Sequence, residues 1–171
     1  CGDTAVELSG DFAEINGNTV RHCDSSCLEL SGNEAIVTRN KVQITEDSYL
    51  IDLSGDDAEI VGNTLENADS EAIIASGDNI LISGNRIAYA SAAIDVSGQN
   101  PVVIRNTGKG FHGGGVVIDV DCTTDCSNAQ VIGNRISDAA DDTGGLRVRA
   151  DAIGMTVELN SVADVAAYGI D

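Results

Sequence analysis

Residues 51–65 read IDLSGDDAEIVGNTL. The stretch opens on an alternation, with apolar Ile51 and Leu53 about a charged Asp52, and breaks at Ser54-Gly55. It alternates again through Ala58 and Ile60, then breaks at Gly62-Asn63 before Leu65. Short period-two runs bounded by Gly and Asn predict a strand, a turn, a second strand and a second turn. The alternation turns Ile51, Leu53, Ala58 and Ile60 toward a core and Asp52 toward solvent.

The phrase is a repeat. It recurs as VELSG with INGNTV, LELSG with VTRNKV, IIASG with ISGNRI and IDVSG with VIRNTG. Two looser copies follow, VIDVD with VIGNRI and LRVRA with VELNSV, and the sequence closes on YGID. The Asn of each unit falls at Asn18, Asn40, Asn63, Asn85, Asn106, Asn134 and Asn160, in steps of 22, 23, 22, 21, 28 and 26 residues. A step near 22 is one solenoid coil of three short strands and three turns, whereas helical and leucine-rich repeats carry other consensus residues. Such a coil cannot bury its face alone. Stacking at about 4.8 Å turns equivalent side chains into columns and places backbone pairing between coils.

The fold predicted is therefore all-β: a right-handed parallel β-helix of about seven coils, one domain spanning 1–171, with no evident capping helix. Composition agrees, since aromatics are 3%, Trp is absent, Pro occurs once and Gly 19 times, leaving the core to Val, Ile, Leu and Ala on a turn-rich frame. The Asn column sits where the chain must bend, and Asn both tolerates unusual φ/ψ and bonds its neighbours through its amide. This pattern resembles the asparagine ladder of the pectate lyase superfamily, and the resemblance covers essentially the whole chain. It speaks to architecture, because a ladder is a structural device.

Charge narrows the partners. Lys and Arg total 9 against 28 Asp and Glu, a formal charge of −19, which repels a nucleic-acid backbone and an anionic membrane surface. No apolar run approaches the roughly 20 residues of a spanning helix. The outward position of the first strand carries Glu7, Glu29, Asp52, Ile74, Asp95, Asp119, Arg147 and Asp171. Stacked carboxylates about 4.8 Å apart repel by roughly 1 kcal/mol even at bulk-water screening. The column is then either well solvated or a place for hard cations, with Glu7, Glu29, Asp52, Asp95 and Asp119 as candidate Ca²⁺ ligands. Glycans are a second class of ligand for this face.

In the pectate lyase superfamily the first sheet and its loops form the substrate groove, with acidic residues holding Ca²⁺ and an Arg or Lys abstracting a proton. The resemblance thus implies a candidate catalytic set of Asp95, Asp119, Arg147, His112 and Lys109, with Arg149 nearby. The longer coils after Asn106 place KGFHGGG (109–115), DCTTDCS (121–127) and SDAADDTGG (137–145) beside the same groove. No lyase signature surrounds the basic residues, and the closing YGID resembles the motif of mannuronan epimerases without the Pro-His that should follow. The leading expectation is a non-enzymatic structural or binding module, with a small polyuronate lyase or epimerase as the alternative.

Five cysteines indicate an oxidising compartment, extracellular or in the cell envelope. Cys23 with Cys27 and Cys122 with Cys126 are close pairs suited to local disulfides. The two pairs fall about four coils apart, roughly 20 Å, too far to share a tetrahedral zinc. Cys1 is the odd thiol. Cys-Gly-Asp resembles the mature end of a bacterial lipoprotein, which implies a lipid on Cys1 as the sole route to a membrane; the rival is a bridge from Cys1 to Cys23 on the adjacent coil. His22 beside Cys23 reads as a turn residue. Parallel β-helices usually protect their end coils, so two bare ends predict other subunits covering them, including head-to-tail copies that would build a filament.

Overall fold

A computed structural model describes residues 3–45, 48–113, 115–122, 124, 126–140, 143–150, 154–165 and 169–170. The side chains of Thr45 and Ala150 are excluded from that description. The first coil is β1 (Val6–Ser9), β2 (Glu14–Asn16) and β3 (Thr19–Cys23), and the second is β4 (Leu28–Ser31), β5 (Ile36–Thr38) and β6 (Lys41–Thr45). The same threefold order continues to β19 (Gly144–Ala150), β20 (Thr156–Glu158) and β21 (Ser161–Ala163). Every third strand pairs in parallel with its equivalent, giving three seven-stranded sheets. No helix occurs among the described residues.

Register follows the repeat. Glu7 aligns with Glu29, Glu29 with Asp52, Asp52 with Ile74, Ile74 with Asp95, Asp95 with Asp119 and Asp119 with Arg147. A slip of one residue would send each flanking apolar side chain to solvent, and that fixes the pairing. The inward columns are aliphatic: Leu28, Ile51, Ile73, Ile94, Ile118 and Leu146 on the first sheet, with Val37, Ile60, Ile82, Val103 and Val131 on the second, all buried. The third sheet adds Val42, Leu65, Ile87 and Ile136. In its inward column Gly108 interrupts the aliphatics, and the ring of Phe111 fills the space a Cβ there would take.

The ladder is continuous. Each amide Nδ2 donates to the next Asn Oδ1, from Asn18 to Asn40 (3.3 Å), Asn40 to Asn63 (3.1 Å), Asn63 to Asn85 (3.0 Å), Asn85 to Asn106 (3.1 Å), Asn106 to Asn134 (3.1 Å) and Asn134 to Asn160 (3.0 Å). The same oxygens accept the preceding Asn backbone N–H, and the second amide hydrogen reaches a carbonyl of the second sheet, as from Asn85 to Ile60 (2.9 Å). Among the described residues no buried side-chain polar atom lacks a partner. The bend before each Asn uses a left-handed residue, Gly17, Arg39, Gly62, Gly84, Arg105, Gly133 or Leu159.

The Gly of the S-G dipeptide has a stricter reason. Gly32, Gly55, Gly77 and Gly98 stack, and an added Cβ on any of them would overlap the carbonyl of the glycine one coil below. Two disulfides, Cys23–Cys27 and Cys122–Cys126, close the predicted local loops. Cys23 is thereby committed to Cys27, while Cys1 and Asp171 lie outside the described residues.

Candidate functional site

The acidic column stands on the outer face of the first sheet. Each carboxylate is placed by the inward residues on either side of it, so the stiffness of the sheet sets the spacing of the charges. Burial raises the Asp52 carboxyl above its ordinary value, with Glu29 adding repulsion. Burial raises Asp95 as well, helped by Asp119, Glu71 and Asp121 and opposed by Arg149. Tyr49 feels the same field: burial pushes its phenol up, and Glu71, Asp52 and Asp95 push further. Among the described residues, no cluster of three or more His, Cys, Asp or Glu converges closely enough to hold a metal ion. The carboxylates of the column stand no more than one to a rung, and Ile74 takes the rung between Asp52 and Asp95.

At the wider end the column changes sign. Asp119, 7% exposed, accepts from Arg147 Nε (3.2 Å), from Arg147 Nη2 and from Arg149 Nη2 (3.1 Å), and Arg149 also reaches Asp121 (3.3 Å). Arg147 grips both carboxylate oxygens in a fork, the arrangement its planar guanidinium favours. Asp95, Asp119 and Arg147 line one shallow cleft of ≈ 200 Å³ together with Glu71 and Ser91. Its chemistry is three carboxylates around one guanidinium. A guanidinium held by a carboxylate orients an anion or steadies developing negative charge; it is not itself poised to remove a proton.

The predicted set is brought together only in part. Asp95, Asp119 and Arg147 share the cleft, and Glu7, Glu29 and Asp52 continue the column away from it. Lys109 is elsewhere, a correction to the expectation that its loop flanks the first groove. It lies within the third-sheet strand Thr107–Phe111, paired with Ala88 and Ser137. The cause is Phe111: its ring must reach the core over Gly108, so the chain stays on the third sheet until that residue is placed, and Lys109 faces outward there. His112 comes just after that strand, where its backbone N–H donates to Ala90, and it does not line the cleft.

Two features were missed. Glu71 enters the cleft because its strand, Glu71–Ser76, starts earlier than those below it. The signal is the pair Glu71-Ala72 ahead of Ile73, which makes this strand two residues longer than those before it. The other is a group of basic residues on the third sheet, foreshadowed by the cations that follow ladder Asn residues at Lys41, Arg86 and Arg135.

Comparison with known proteins bears on architecture. A family model described as the right-handed beta helix region matches residues 4–162. No curated protein and no solved structure matches the chain.

Proposed function

Because the chain belongs to the right-handed β-helix family, we propose that it is a non-catalytic binding and structural module of the cell exterior, with the acidic first sheet as its ligand face. The observation that carries this reading is the in-register column of Glu7, Glu29 and Asp52, resumed at Asp95 beyond Ile74, in which two carboxyls are held above their ordinary pKa. Charges stacked against their own repulsion on a rigid sheet gain from cations lying along the column rather than caged in it, so a loosely held divalent ion such as Ca²⁺ or a Lys/Arg-rich partner is the ligand class. Two local disulfides support an oxidising compartment, extracellular or in the envelope.

A ligand that binds only the folded state raises the melting temperature by mass action. Millimolar Ca²⁺ is expected to raise that temperature and Mg²⁺ to raise it less, with the Asp52→Asn, Asp95→Asn double variant insensitive to both. If neither Ca²⁺ nor a lysine-rich peptide shifts the wild-type protein more than an equal ionic strength of NaCl, the reading is wrong.

One observation favours a second reading, polyuronate lyase or epimerase chemistry: Asp95, Asp119 and Arg147 line a common cleft. There Arg147 would pair with a uronate carboxylate and Asp95 would serve as the proton-transfer group. Incubation with pectate and alginate plus Ca²⁺, followed at the absorbance of unsaturated uronates and by uronate composition, tests it. Arg147→Ala is expected to abolish any such activity.

A further inference from the structure

The net charge conceals a segregation. No Lys or Arg occurs in any strand of the second sheet, and those of the first carry only Arg147 and Arg149, both bound to Asp119. The strands of the third sheet hold Arg21, Lys41, Arg86, Lys109 and Arg135, five of the nine basic residues, against Glu66 and Asp138 alone.

Three of these cations converge. Register puts Arg86 and Arg135 in one outward column with Thr107 between them, and Lys109 two residues along the intervening strand. With Thr64, Glu66 and Ser137 they line an open cleft of ≈ 590 Å³. None of the three makes an ion pair with Asp or Glu among the described residues, and the Glu66 carboxylate accepts a hydrogen bond from the Gln43 amide. Three cations gathered around a single carboxylate, Glu66, leave the cleft with an excess of positive charge on one face of an otherwise acidic chain.

An aromatic plate borders the cleft. Tyr89 follows the strand Arg86–Ala88 and is 53% exposed. Its ring lies against Gly110, where an added Cβ would meet ring carbons at 2.8 and 2.9 Å, and Lys109 Nζ stands 6.0 Å from the ring centroid. Gly110 is thus both a left-handed residue and the gap that seats the ring. An exposed ring seated on backbone offers a flat apolar surface at little conformational cost.

We propose that this third-sheet cleft binds an anionic saccharide, with a pyranose ring stacked on Tyr89 and its carboxylate or sulfate groups held by Arg86, Lys109 and Arg135. The hydroxyls of Thr64, Thr107 and Ser137 answer those of the sugar. Arg86 and Arg135 stand two rungs apart, about 10 Å at strand spacing, so the site spans a short oligosaccharide along the solenoid axis. A nucleic acid fits less well, since its length and regular charge carry it off this sheet onto the acidic ones. The site shares no residue with the first-sheet reading, so either can fail alone.

Isothermal titration of the full chain against four probes tests the proposal: a uronate tetrasaccharide, a sulfated tetrasaccharide, a neutral tetrasaccharide and a short single-stranded oligodeoxynucleotide. One or both anionic saccharides are expected to bind, which identifies the anion, with the neutral sugar and the oligodeoxynucleotide at least about tenfold weaker. The Arg86→Gln, Arg135→Gln double variant should lose at least about tenfold and Tyr89→Ala several-fold, with circular dichroism unchanged because these side chains are exposed. The proposal is overturned if neither anionic saccharide binds at millimolar concentration, if the neutral sugar or the oligodeoxynucleotide binds equally well, or if the correctly folded double variant binds like the wild type.

Discussion

Replacing Asn85 by Ala removes the middle rung of the ladder. The wild-type side chain accepts from the Asn63 backbone N–H (2.9 Å) and Nδ2 (3.0 Å), and donates to the Ile60 carbonyl (2.9 Å) and Asn106 Oδ1 (3.1 Å). Asn106 Oδ1 keeps the Asn85 backbone donor at 3.0 Å and the Ile60 carbonyl stays in the second-sheet ladder, so two buried donors lose their partner: the Asn63 N–H and one Asn63 amide hydrogen. The site is 0% exposed, and solvent does not replace what is lost. At about 1–2 kcal/mol for each orphaned buried group, the cost is roughly 2–4 kcal/mol. For a chain of this size that lowers the melting temperature by about 5–15 °C.

Asn18→Ala is the internal control. Asn18 is exposed, and its amide donates to Asn16 (3.1 Å) and Asn40 (3.3 Å) with only Asn40 Oδ1 losing a buried contact. The expected cost is below about 1 kcal/mol. Urea titration of both variants, read by far-ultraviolet circular dichroism, measures the difference. Equal destabilisation at the two positions would refute the idea that mutual satisfaction of buried amides stabilises the stack.

Asp95→Asn should stabilise the protein near neutral pH. Its folded-state pKa is raised, so wild-type stability from this group is complete below the ordinary carboxyl value of 3.8 and is lost as pH rises through the folded one. Melting temperatures from about pH 3 to 7 should coincide at the acid end and diverge above it. Gly77→Ala is expected to cost several kcal/mol, about 3 or more, because its Cβ overlaps the Gly55 carbonyl, whereas Gly84→Asn in open space should cost under about 1 kcal/mol. Chemical denaturation of the two variants separates strain at a close approach from mere left-handed φ. Loss of either four-residue disulfide loop should remove about 2 kcal/mol, measurable as a lower denaturation midpoint in Cys122→Ser with Cys126→Ser, and dithiothreitol, which opens both loops, should lower it further.

The stacking was legible from residues such as Asp52 and Asn63 alone, because a parallel coil returns like onto like and each position is read seven times over. The Asn ladder, the aliphatic columns and the acidic stripe all follow from that repetition, since each depends on position within a coil, and both disulfides follow from the four-residue spacing of their cysteines. Matters lying across coils needed the tertiary structure. That Lys109 leaves the first groove depends on Phe111 filling the core over Gly108, an exchange between neighbours that no repeat position announces. The fork of Arg147 and Arg149 around Asp119, the entry of Glu71 and the meeting of Arg86, Lys109, Arg135 and Tyr89 likewise combine different coils. Sequence periodicity fixes which residues share a column; the lengths of individual strands and the side chains that fill irregular gaps decide which columns meet in a cleft.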